Sequence, residues 1–447
     1  MPESTSPRFS VLRSFKIGSF NVGSALVDIL TASVWNRVMI TDLGAGATPV
    51  SILLALRYLL APLSIWVGFR SDTRPIGGLR RTPYIWLGRA LMLLAVFLLP
   101  ISLAQLSVDL NDPIGWLLAL VIFIAYGAGT AISGGPFLAL IHDRTPAAKR
   151  GIAISIAQTL LLLGFAISPI VFGRLLPAYS PEQFQSLAIL AGLAAASFWF
   201  FAIWREDRKV TTAEIDQRAA PLRLGALLKR MWADRHTRRF AIFLALGAMA
   251  AFAQDAILEP FGGDVFGMSV EQTTRFSAYF GTGVLVLMVI TTLITRKRRP
   301  EQQARPAVIG LSVMIAGLAL LALAGLAHLR WMISPALLVF GAGFGMYTIG
   351  GLSLLMAMTT EKEAGAYLGL WTMIQLVSRG VGIGLGGVVH DVMLALTGSP
   401  TLAYSSVFIL EGVGLAACIA LVLRLDVAGF ARQQQGSEFA AAHALAD

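Results

Sequence analysis

The sequence predicts an all-α membrane protein of twelve transmembrane helices, arranged as two halves of six. Three observations carry that prediction. The chain of 447 residues is 56% hydrophobic and only 13% charged, with a mean hydropathy of +0.73, which is too apolar for a soluble globular protein. Apolar stretches of roughly 20 residues, the length a helix needs to cross a bilayer, recur about twelve times. The longest polar interruption, Arg205 to Arg239, separates six such stretches from six.

In chain order the expected spans are 17–40, 48–69, 84–105, 114–141, 150–175 and 183–204, then 239–260, 272–295, 306–327, 332–358, 364–390 and 402–424. The organisation is therefore a first half over 1–204, a cytoplasmic linker over 205–239 and a second half over 240–447 that ends in a short cytoplasmic tail. The linker mixes charges with Pro221 and an amphipathic segment around Leu222 to Trp232. The first sixteen residues are polar and the run after them lacks a cleavage site, so no cleaved signal peptide is expected. The lone cysteine, Cys418, lies in the last apolar run, so neither an internal disulfide nor a cysteine metal site is expected.

Charge placement sets the topology. The net charge of +10 sits in short loops, which favours a membrane-orientation signal over nucleic-acid binding. Arg37, Arg57, Arg89, Arg174, Arg275, Arg330 and Arg379 lie within helices or in the opposite loops, and every other Lys and Arg falls on one side. Retention of cations in the cytoplasm then puts both termini there.

Between the second and third spans runs GFRSDTRPIGGLRRTPYIW, residues 68–86. Gly68 is expected to let the helix end close against its neighbours, Asp72 to accept from freed backbone or an arginine at the cytoplasmic gate, and Arg80 and Arg81 to hold the cytoplasmic side. Tyr84 and Trp86 are expected at the headgroup level. Gly-x-x-x-Asp followed by a Gly and paired arginines resembles the equivalent loop of the major facilitator superfamily. The halves also echo one another: Arg296-Lys297-Arg298-Arg299 takes the place in the second half that Arg70 to Arg81 holds in the first, and Gln158 and Gln375 occupy matching helices. The runs Gly341 to Gly345 and Gly380 to Gly387 supply small residues for close helix approach.

Ionisable groups inside the spans are costly, which makes each a functional candidate. At 1.5 Å per residue, Asp28 lies roughly 16 Å from the cytoplasmic start of its helix and Arg57 roughly 18 Å from the cytoplasmic end of the next. The two sit at similar depth and are expected to pair, in a structural or a functional role. Gln375 and Arg379, four apart, share one face of the eleventh span. The seventh span ends in Gln254, Asp255 and Glu259, with Pro260, Gly262 and Gly263 expected to break the helix. Either these acids cap a helix end in water, or they line a ligand site. His390-Asp391 reads as an interfacial cap. His142, His236, His328, His390 and His443 fall in loops, at helix ends or in the tail, so neither a zinc site nor a nucleophile with its base is expected, and the chain does not read as an enzyme.

Several stretches together resemble the PucC/LhaA family, the bacteriochlorophyll-delivery branch of the major facilitator superfamily. They are Asn36-Arg37-Val38-Met39-Ile40, the loop from Gly68 through Trp86, the run Gln254-Asp255 through Leu258-Glu259-Pro260 to Val265-Phe266-Gly267-Met268-Ser269, and Gly386-Gly387 before Asp391. Two departures are Leu79, where the pattern has a tryptophan, and Glu361-Lys362-Glu363 in the tenth-to-eleventh loop. The resemblance implies a protein of the cytoplasmic or intracytoplasmic photosynthetic membrane that handles bacteriochlorophyll or chlorophyll. Its implied partners are light-harvesting antenna apoproteins, and pigment-synthesis or membrane-insertion machinery alongside them. With no histidine at mid-membrane, a pigment magnesium would need an oxygen donor, and Gln254, Asp255 and Glu259 beside Phe252, Phe261 and Phe266 are the first expectation. The groove beside Gln375 and Arg379 is the second. A competing reading is a proton-coupled secondary transporter of a small molecule, for which Asp28, Asp255 and Arg379 are equally suited.

Overall fold

A computed structural model describes residues 9–146, 149–207, 229, 232–233, 235–295, 304–357 and 364–424. Most of the linker, the Arg296 to Arg299 cluster, Glu361 to Glu363 and the tail from 425 lie outside the described residues. Among those described, twelve helices are long and apolar enough to cross a membrane. They are Val11–Asp42, Ala47–Thr73, Thr82–Val108, Pro113–Arg144, Arg150–Leu175, Pro181–Ile203, Thr237–Ala256, Val270–Thr295, Arg305–Leu326, Arg330–Gly351, Gly369–Thr397 and Pro400–Leu423. The chain is an integral membrane protein.

Several helix starts share one local device, a short polar residue followed by proline. Asp112 accepts from Ile114 N (3.0 Å) and Gly115 N (3.1 Å), Ser180 from Gln183 N (3.2 Å) and Ser399 from Leu402 N (3.4 Å). Each is followed by a proline at the first helical position, where the missing N–H has no intrahelical partner to lose. Pro62 acts the same way inside the second span, which divides into Ala47–Leu59 and Pro62–Thr73.

Two spans depart from the expected regular helices. The first begins at Val11, before the expected residue 17, and after Phe20–Ile29 widens into π-helical turns at Leu30–Trp35 and Val38–Asp42. For the seventh, the sequence predicts a helix running to residue 260 and breaking at Pro260. The α-helix instead stops at Phe252, passes through a 3₁₀ turn at Ala253–Ala256 and restarts as Leu258–Phe266. Pro260 thus lies in the first turn of a new helix, where its missing donor costs nothing. Gly267 closes that helix in the left-handed conformation, with φ 61°.

By contacts the chain forms two compact units. The first comprises Met1–Pro221 with Asp255–Ala278 and Ile383–Leu396, and the second comprises Leu222–Gln254, Tyr279–Gly382 and Thr397–Asp447. In the second unit, a side chain on Gly341 would strike the Phe280 carbonyl, and one on Gly343 would come within 2.5 Å of Met314 N. Backbone-to-backbone approach of that kind is what small residues allow in a bilayer.

Candidate functional site

Two of the resemblance-bearing stretches, Asn36-Arg37 and the run from residue 255 to Met268, meet in the first unit along a buried seam. The π-helical turns of the first span reorient Ser33, Asn36 and Arg37 toward the segment 255–278. Asn36 is fully buried, donates from Nδ2 to the Ala256 carbonyl (3.0 Å) and accepts at Oδ1 from Arg37 N (2.7 Å). Arg37 pairs with Asp42 (2.7 Å) and donates to the Met268 carbonyl (3.1 Å). Ser33 Oγ (2.8 Å) and Ser277 Oγ (3.1 Å) both donate to Glu259 Oε1, and Glu259 is only 3% exposed. Further along, Asp391 accepts from Ala47 N (3.0 Å) and Thr48 N (2.8 Å) and so caps the helix Ala47–Leu59. It caps a helix distant in sequence and not the end of its own, which runs on to Thr397. A side chain on Gly387 would strike Ser51 and the Ala47 carbonyl, so this glycine is needed for that docking.

This packing revises the picture of Gln254, Asp255 and Glu259 as one ligand cluster. Asp255, half-buried, and Glu259 belong to the first unit, whereas Gln254 belongs to the second, where its backbone N–H donates to Glu411 Oε1 (2.7 Å). The carboxyl of Glu259 is enclosed by serines and does not face water. Gly262 and Gly263 leave no room for a flat ring either. A Cβ on Gly262 would come within 2.7 Å of Thr273, and one on Gly263 within 2.6 Å of Thr41. Phe261 is buried edge-on against Phe266, with centroids 5.3 Å apart, and offers no open face.

The second unit brings Arg379 to the seventh span. Its guanidinium lies over the Phe252 ring at 3.8 Å, and Phe252 meets Phe344 edge-on at 5.2 Å. Gln375 is exposed, one turn away on the same face.

In the first half, Asp28 Oδ2 and Arg57 Nη2 lie 3.2 Å apart, and the Tyr126 hydroxyl donates to Asp28 Oδ1. Next to them Arg89 is buried between Phe20 and Trp199. At the loop between the second and third spans, Asp72 pairs with Arg80 (3.2 Å) and Arg81 (2.6 Å), and Arg81 also reaches Asp143 (3.1 Å). These partners all belong to the first unit. Gly68 is not a close-approach residue, because its helix continues to Thr73 and a Cβ added at this position would meet nothing within 4 Å. Tyr84 is buried and donates to the Arg70 (3.3 Å) and Arg74 (2.8 Å) carbonyls, so it caps the preceding helix.

Two buried acids escape sequence reasoning. Glu411, 2% exposed, sits within the twelfth span, and its position in an apolar run is the signal that would have found it. Glu206, 5% exposed, collects Lys16 (2.8 Å), Arg144 (3.3 Å) and Arg13 (3.6 Å). Next to the charged linker it reads as a solvated residue, and only the fold gathers its partners.

The chain matches the family model described as PUCC protein over residues 34–430. A protein named PucC from Rhodovulum sulfidophilum is 30% identical, over 87% of this chain and 87% of its own. A Rhodobacter capsulatus protein named bacteriochlorophyll synthase 44.5 kDa chain is 29% identical, over 86% of this chain and 88% of its own. Among solved structures, a POT family transporter in complex with a thioalcohol-conjugated peptide superposes with a TM-score of 0.66 at 14% identity, over 92% of this chain and 94% of its own. That likeness identifies the twelve-helix major facilitator fold, and the family match across both halves makes the chain a member of the PUCC family.

Proposed function

We propose that the chain is an assembly factor for light-harvesting complexes, taking bacteriochlorophyll or chlorophyll as cargo and delivering it to antenna apoproteins. Membership of the PUCC family supports this reading, as does the name of the Rhodobacter capsulatus relative. The arrangement in the second unit carries the site: Arg379 lies over Phe252 at 3.8 Å with exposed Gln375 one turn away. An amide oxygen is a hard donor suited to magnesium. The arginine supplies donors for the carbonyl oxygens at the ring edge, and the phenylalanines supply apolar contact. Gln254 and Glu259 are packed into the protein and serve the fold instead. Family membership supports the cytoplasmic or intracytoplasmic photosynthetic membrane as its location, and the distribution of its cations supports cytoplasmic termini.

The test is pigment per protein after purification from a phototrophic host. Gln375→Leu should lower the ratio, while Glu259→Gln in folded protein should leave it unchanged; the reverse pattern would return the site to the seventh span. A second reading, a proton-coupled transporter, is favoured by the buried Asp28–Arg57 pair at 3.2 Å. It calls for uptake of a small molecule that Asp28→Asn abolishes, with no pigment retained by the wild type.

A further inference from the structure

The membrane core of the first half holds two arginines and one acid. Asp28 is shared by Arg57, whose Nη2 lies 3.2 Å away, and by the hydroxyl of Tyr126. Arg89, 4% exposed, has no carboxylate within salt-bridge distance among the described residues. Its guanidinium lies between the rings of Phe20 (4.1 Å) and Trp199 (4.6 Å). Its Nη1 donates to Ser24 Oγ (3.2 Å) and Met92 Sδ (3.1 Å), and its buried Nε has no acceptor. The packed elements contribute Asp28 from the first span, Arg57 from the second and Arg89 from the third. Tyr126 and Thr130 from the fourth and Trp199 from the sixth are neutral. One positive charge is therefore in excess at a depth where an uncompensated ion is costly.

The cluster has an accessible edge. The side chains of Arg57 and Asp28 are 12% and 18% exposed, whereas Arg89 behind them is sealed. We infer that the first half contains an anion subsite at Arg57, which takes the carboxylate or phosphate of an amphiphile whose apolar body lies in the bundle. The anion completes the charge balance that Asp28 leaves short by one, and Arg57 offers it the planar donor fork suited to carboxylate and phosphate. As applied to pigment this deepens the delivery reading and rests on it: the subsite favours a tetrapyrrole with a free carboxylate over its ester. The same chemistry would hold an anionic lipid headgroup.

The full-length protein in phosphatidylcholine nanodiscs is titrated with chlorophyllide a and with its methyl ester, which keep the magnesium and differ only in the charged group. The comparison is repeated with the charge-neutral pair variant Asp28→Asn/Arg57→Gln, which avoids stranding a buried acid. In parallel, phosphatidylglycerol retained per protein is counted by native mass spectrometry for both proteins. The acid should bind the wild type about tenfold more tightly than the ester, the scale of one charge-assisted hydrogen bond, and the pair variant should bind both alike. Equal binding of acid and ester, combined with phosphatidylglycerol retained by the wild type and lost from the variant, keeps the subsite and assigns it to a lipid phosphate. Absence of both the acid preference and the lipid retention overturns it. Failure of both pigments to bind overturns the pigment reading, whichever way the lipid arm falls.

Discussion

Asn36→Leu removes a near-isosteric amide from the centre of the seam. In the wild type the side chain is fully buried and both of its ends are used, Nδ2 on the Ala256 carbonyl at 3.0 Å and Oδ1 on Arg37 N at 2.7 Å. Leucine fills the volume but leaves a buried carbonyl and a buried N–H without those partners. Each such loss costs about 1–3 kcal/mol, so the variant should be destabilised by about 2–4 kcal/mol, allowing for partial relaxation of the π-helical turn. The sole cysteine provides the assay, because Cys418 is fully buried and reacts with a maleimide dye only on unfolding. Thermal unfolding in detergent should shift several degrees lower for Asn36→Leu. Asn36→Asp should shift it further, since it keeps the acceptor for Arg37 N but sets an oxygen against the Ala256 carbonyl. An Asn36→Leu protein that melts within a degree of wild type would refute the argument that this contact holds the seam.

Three other outcomes are expected. Asp391→Ala removes the cap from the helix Ala47–Leu59, worth about 0.5–2 kcal/mol, and amide exchange at Ala47 and Thr48 should accelerate selectively; uniform exchange rates would contradict the capping role. Asp72→Asn weakens pairs to Arg80 and Arg81, but the carboxylate is 39% exposed, so stability should change by only about 0–1 kcal/mol while antenna assembly falls and membrane insertion stays normal. Full assembly by that variant would reduce the loop to a topology signal. Reporter fusions after Arg208 and at the carboxyl terminus should both read as cytoplasmic, and an extracytoplasmic signal from either would overturn the orientation.

Hydropathy makes the twelve spans legible because crossing a bilayer requires a long apolar run whatever its internal geometry. Depth arithmetic likewise sets Asp28 and Arg57 level, and their side chains meet at 3.2 Å. What hydropathy does not encode is the hydrogen-bond register inside a span. The π-helical turns at Leu30–Trp35 lie in a stretch as apolar as its neighbours, so the reorientation of Ser33 and Asn36 leaves no trace in composition. Pro260 reads as a breaker when its place in a helix is unknown; in a first turn it is benign. Asp391 shows the same limit from the other side, since its capping partners lie more than 300 positions away in the chain. For Glu259 the sequence leaves open a cap in water or a ligand site, because its burying serine donors at positions 33 and 277 come from two other spans.

The central claim is pigment handling, and the absorption spectrum of the protein purified from a phototrophic host tests it most directly. The account predicts tetrapyrrole bands that copurify with the chain and weaken in Gln375→Leu. A folded wild-type protein with no such bands, from cells making pigment, would contradict it.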